Sequence, residues 1–142
     1  MQHKDLNLDR IGRKVADVTE NLNVLWAYAA REEQDFLGNP EAVRSAKYAF
    51  IVLIEACLAI ANHFCARLLA KAPGSYAEAY LCLGEGGIIE IELAQRLAQM
   101  ARFRNLIVHG YDRVDDKLMF YIMKNNLSDV ELFLDAVELL VK

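Results

Sequence analysis

The sequence predicts an all-α fold, an up-and-down bundle of four main helices plus one short helix. Three observations predict it. Apolar residues recur at steps of three and four along almost the whole chain, the spacing that lines one face of an α-helix. Strict apolar–polar alternation, the signature of a strand, is almost nowhere to be found. The breaks between periodic segments are short and rich in Gly, Pro, Asn and Ser, so consecutive helices must turn back on one another. With 142 residues, 55% hydrophobic and 25% charged, the chain can bury a substantial core, and residues 1–142 read as a single domain.

The elements follow in order. Ile11, Val15, Val18, Leu22, Leu25 and Ala29 alternate steps of four and three, which predicts a first helix over about 8–34. "FLGNPEAV" breaks it: Gly38 and Asn39 make a turn, and Pro40 suits the first turn of a second helix running to about Lys71. "APGS" (72–75) stops that helix, and "YAEAYLCL" gives the short third one, ended by "GEGG" (84–87). The fourth helix is expected over 88–108, closed by Gly110. "YDRVDDK" is a polar connection to a last helix over 117–141, interrupted near "NNLSD", where Ser128 is the expected cap of a new start.

Several function classes drop out early. "YAFIVLIEACLAIANHFCARLLA" (48–70) is long enough to span a bilayer, but Glu55 lies near its middle. A central charge costs about 2.5–3.5 kcal/mol on insertion scales. At 100° per residue Glu55, Asn62, His63 and Arg67 fall on one side, so this reads as a core helix with one polar stripe. The N-terminus has no apolar run, so no secretory signal is expected and a cytoplasmic protein is. Cys57, Cys65 and Cys82 lie in apolar settings without a C-x-x-C, as buried free thiols do in a reducing compartment. Three scattered histidines give no metal-ligand spacing, and "GEGG" lacks the lysine and preceding strand of a phosphate loop. Neither metal nor cofactor is expected.

The net charge of −4 argues against a protein that coats nucleic acid non-specifically. The charge is uneven, however. Residues 93–113 carry Arg96, Arg102, Arg104 and Arg113 against Asp112 alone, a basic island compatible with a phosphate-containing ligand.

Inside that island lies "RNLIVHGY" (104–111). On the fourth helix Leu93, Leu97, Met100, Phe103 and Ile107 form one stripe, and Arg104 falls within it, about 20° from Leu93. A guanidinium there must snorkel, pair with a carboxylate such as Glu55, or lie against a second chain or a ligand. His109, at the helix end, is placed where the helix dipole favours an imidazolium. Asn105, four residues earlier, is within reach to orient it. On spacing alone a structural ion pair and a cap explain these residues as well as catalysis does.

Arg-x4-His at the end of a bundle helix, with a polar residue directly after the arginine, resembles the signature of the HEPN superfamily. With the added tyrosine it is R-x4-H-x-Y, as in the HepT toxin family: Arg104, Asn105, His109 and Tyr111 each match. The stretches "EACLAIANHF" (55–64), "PGSYAEAYLCLGEGGII" (73–89) and "LSDVELFLDAVELL" (127–140) also read like the corresponding family segments. The resemblance implies a homodimer acting as a metal-independent ribonuclease, the toxin of a toxin–antitoxin pair. It implies as partner an MntA-type nucleotidyltransferase that silences the toxin by attaching AMP to Tyr111.

The chemistry suits the residues. Cutting RNA without metal needs a group to handle the 2′-hydroxyl proton, a role for His109, and a cation on the phosphoryl oxygens, a role for Arg104. Arg102 and Arg113 are further candidate phosphate contacts, with Tyr111 at the cleft mouth. One histidine is thin for acid and base duty together, and a two-fold dimer that joins two motifs in one cleft supplies a second. The alternative is a non-enzymatic dimer that binds a nucleotide or the transferase partner.

Overall fold

The computed structural model describes residues 5–109 and 116–142, the side chains of Val108 and His109 excepted. Its elements are α1 (Leu8–Ala29), α2 (Glu33–Leu37), α3 (Pro40–Leu68), α4 (Tyr76–Glu85), α5 (Ile91–His109), α6 (Asp116–Asn125) and α7 (Ser128–Val141). This is the expected all-α bundle, with the first helix ending earlier than expected before a short α2, and the last one interrupted where the sequence places the break.

Helix α1 starts on Asn7, whose side chain accepts from the Arg10 amide at 3.0 Å. It buries Ile11, Val18, Leu22, Leu25 and Ala29, the expected seam except for Val15, which is half-buried. It ends at Ala29 rather than near residue 34. An unbroken helix rises about 1.5 Å per residue and would hold residue 36 roughly 12 Å from residue 28. The break folds the segment back, so that the Phe36 ring meets Tyr28 at 5.6 Å and Phe120 at 5.3 Å and is fully buried. Lys124 Nζ donates to the Ala29 carbonyl at 3.3 Å, satisfying one of the groups the early stop exposes.

Helix α3 is the centre of the molecule. Asn39 caps it, accepting from the Ala42 amide at 3.1 Å, with Pro40 in the first turn. It is long and apolar enough to cross a membrane, yet most of its apolar stretch is buried inside the bundle. It packs on α1 along one side and on α4 and α5 along others. Phe50, Leu53, Cys57, Ile60 and Phe64 are buried, while Glu55, Asn62, His63 and Arg67 retain exposure. Both Cys57 and Cys65 are buried, and Cys82 is half-buried.

Helix α4 begins at Ser75, whose hydroxyl accepts from the Glu78 amide at 3.2 Å, and runs beside α5. Gly84 lets the two approach: a Cβ there would lie 2.8 Å from the Ala94 Cβ. Gly87, at φ +75, then turns the chain toward α5 in a conformation that favours glycine.

The last helix is interrupted near "NNLSD" as expected, giving α6 and α7, but the cap differs from the expectation. Leu127 occupies the cap position without a side-chain bond, and Ser128 is already helical. Leu127 is 1% exposed. A buried Leu127 therefore stands at the cap position expected for Ser128. Asp129 in the first turn of α7 is buried and takes Arg96 Nε of α5 at 2.8 Å, which fastens the C-terminal helix to the one carrying the motif.

Candidate active site

The stripe expected on α5 is buried: Leu93, Leu97, Met100, Phe103 and Ile107 all lie in the core. Arg104 is held at its edge, where α3, α4 and α5 converge. Its Nε lies 2.5 Å from Glu55 Oε1 on α3. The contact is one of charge rather than an aligned hydrogen bond, since the buried Nε–H has no acceptor in hydrogen-bonding geometry. The Tyr76 hydroxyl donates to the same carboxylate, 3.2 Å from Oε1 and 3.5 Å from Oε2. The guanidinium carbon stands 5.2 Å from the centre of the Tyr76 ring, within cation–π range. Of the outcomes open to an arginine in that stripe, a carboxylate partner is present.

Asn105 is exposed and accepts from Arg104 Nη1 at 3.5 Å. Arg102 is exposed as well. With Arg104 and Asn105 it lines a groove of about 710 Å³ between α4 and α5, walled opposite by Ser75, Tyr76 and Glu78.

The remaining expected site groups fall at or past the end of α5. His109 is the last described residue of that helix, and its side chain lies outside the described residues, as do Tyr111 and Arg113. The contact described for Asn105 is the one to Arg104, and the expected one to His109 lies outside the described residues.

Other reactive groups are spoken for. His63 Nε2 accepts from the Asn7 amide at 2.9 Å, which ties α3 to the start of α1. Burial, then the charges of Arg67 and Arg10, lower its pKa, the direction that suits a ring nitrogen acting as acceptor. Burial pushes the Cys57 thiol up to about 12. Burial, with Cys82 alongside, does the same for Cys65. Neither is a thiolate at neutral pH.

Two residues of this site carry little signal in the sequence. Glu55 shows only as a charge in an apolar helix. Tyr76 lies 28 positions before Arg104, so no local spacing links them; its one hint is its place directly after the helix cap Ser75.

A family model described as Ribonuclease HepT-like matches residues 16–137. The chain is similar to the mRNA nuclease HepT of Shewanella oneidensis, at 29% identity over 84 residues, covering 59% of this chain and 63% of that protein, a little under two thirds of its length. It is also similar to the tRNA nuclease HepT of Aphanizomenon flos-aquae, at 26% identity over 103 residues, covering 72% and 70%. Its fold matches the tri-AMPylated HEPN toxin of Shewanella oneidensis, solved in complex with MNT antitoxin, with a TM-score of 0.85 and 24% identity over 92% of this chain and 98% of that one. It also matches YutE, a cytosolic protein of unknown function from Bacillus subtilis, with a TM-score of 0.80 and 15% identity over 96% and 91%. At these identities the two structures establish a shared fold.

Proposed function

Because the chain belongs to the HepT-like ribonuclease family, we propose that it is a metal-independent endoribonuclease, the toxin of a toxin–antitoxin pair, working as a cytoplasmic homodimer. The observation that carries this reading is the R-x4-H-x-Y motif, with Arg104 at the edge of an open groove beside the exposed Arg102 and Asn105. His109 takes the proton of a 2′-hydroxyl, the oxygen attacks the adjacent phosphorus, and the 5′-oxygen leaves. Arg104 stabilises the charge gathered on the phosphoryl oxygens, with Arg102 and Arg113 holding neighbouring phosphates. A dimer cleft supplies a second His109 to protonate the leaving oxygen.

The products test this chemistry. Cleavage should persist in EDTA and leave 2′,3′-cyclic phosphate and 5′-hydroxyl ends. A substrate with 2′-deoxyribose at the cut position should resist. Free 5′-phosphate ends, read by mass spectrometry of the fragments, would sink the mechanism.

Regulation belongs to the same reading. An MntA-type nucleotidyltransferase attaches AMP to Tyr111, two residues past His109, and the added nucleotide excludes RNA by charge and volume. Tyr111→Phe should fold normally, cleave RNA, and escape silencing by the transferase and ATP. AMP found on a different residue of the wild type, or full silencing of the Phe variant, would refute it.

One observation favours a second reading, a non-enzymatic dimer that binds a nucleotide or the transferase: Glu55 already neutralises Arg104. Absence of RNA cleavage together with retained binding of the transferase would select it.

A further inference from the structure

Arg104 has more partners than a bundle ion pair requires. Glu55 comes from α3, Tyr76 from the first turn of α4 and Asn105 from α5, and all three meet one guanidinium. The carboxylate lies at Nε, and the guanidinium carbon stands 5.2 Å from the centre of the Tyr76 ring. The Tyr76 hydroxyl fixes the carboxylate in turn, at 3.2 Å. The guanidinium is thereby restrained from two sides, by the charge of Glu55 and by the neighbouring ring.

The cluster is a poor stabiliser of the fold. The Arg104 and Glu55 side chains are 20% and 38% exposed, and half-solvated pairs contribute little to stability. The Nε–H is not even aligned on its partner. What the arrangement does accomplish is to hold Arg104 at the wall of the α4–α5 groove, and a guanidinium can grip a phosphate through parallel N–H bonds.

We propose that Glu55 and Tyr76 are positioning residues that hold the Arg104 guanidinium in its phosphate-gripping orientation. The proposal rests on the ribonuclease reading above. Glu55 acts as an anchor rather than a proton carrier, and Tyr76 acts through its ring on Arg104 and through its hydroxyl on Glu55.

The experiment measures cleavage of bulk bacterial tRNA and of an in vitro transcribed messenger RNA by the full chain, with kcat and KM separated and thermal stability recorded for every variant. Glu55→Gln should lower kcat about tenfold, because a misplaced cation loses transition-state contacts. KM should stay within about twofold, the mark of an interaction that matters mainly in the transition state. Stability should match the wild type. Glu55→Asp, which keeps the charge, should recover part of the loss, and Tyr76→Phe should lose less than Tyr76→Leu.

Wild-type rates in both Glu55→Gln and Tyr76→Leu, with Arg104→Ala inactive, would overturn the positioning role and leave the ribonuclease reading intact. A faster Glu55→Gln enzyme would make Glu55 a brake on Arg104 and overturn it too. So would a loss that follows thermal stability and is not relieved by aspartate. Arg104→Ala cleaving like the wild type, or no cleavage by the wild type, would instead overturn the underlying reading of Arg104, and the positioning role with it.

Discussion

Arg104→Ala should slow RNA cleavage by about 10²–10³-fold, the range seen when one donor to a developing oxyanion is lost. His109→Ala should cost roughly 10²–10⁴-fold, the range for general acid–base groups. The two losses should not add, because a proton transfer without charge stabilisation, or the reverse, leaves the same stalled step. Arg104→Lys should recover little: an ammonium keeps the charge but lacks the fork that can meet both Glu55 and a phosphate. Arg104→Ala should remain folded, since it releases a carboxylate that is 38% exposed and can be hydrated. Steady-state rates on one RNA, with circular dichroism alongside, check all of this. Cleavage by His109→Ala at the wild-type rate would remove His109 from the mechanism.

The bundle was legible because helical periodicity is a local property. The seam of α1 and the Asn39–Pro40 start of α3 follow from neighbouring residues. The break after Ala29 was not, because its cause is Phe36 folding back onto Tyr28 and Phe120, a ring 84 positions further along. The same holds at residue 128. Serine is a good cap by local rules, but a buried Leu127 stands at the cap position, one residue earlier.

The site divides in the same way. Arg104, Asn105, His109 and Tyr111 sit within eight residues and declare themselves as a pattern. An arginine in an apolar stripe also signals that a counter-charge is needed, and Glu55 was a candidate because it is the charge in the middle of the core helix. Tyr76 could not be found that way. A ring beside a guanidinium leaves no periodicity, and only the packing of α4 against α5 brings the two together.

The largest effect on the fold should come from Phe50→Ala. Phe50 is fully buried on α3 and meets Phe103 of α5 edge-to-face at 5.6 Å, so its loss opens a cavity beneath the helix that carries the motif. Truncating a buried phenylalanine costs about 3–5 kcal/mol. For a chain of this size that lowers Tm by roughly 10–20 °C. Urea titration at fixed protein concentration should show a lower midpoint with an unchanged slope, because the native state loses stability without changing how much surface unfolding exposes. Protein concentration must be held constant, since the proposed dimer would gain apparent stability by mass action. Phe50→Leu, which refills most of the volume, should lose well under half as much. The contrast with Glu55→Gln is the useful one. Phe50→Ala should cleave RNA normally at temperatures where it is folded and fail above them, whereas Glu55→Gln should be slow at every temperature. A loss below about 1 kcal/mol would mean that neighbouring side chains close the cavity, and that α5 is held to α3 by contacts other than this aromatic pair.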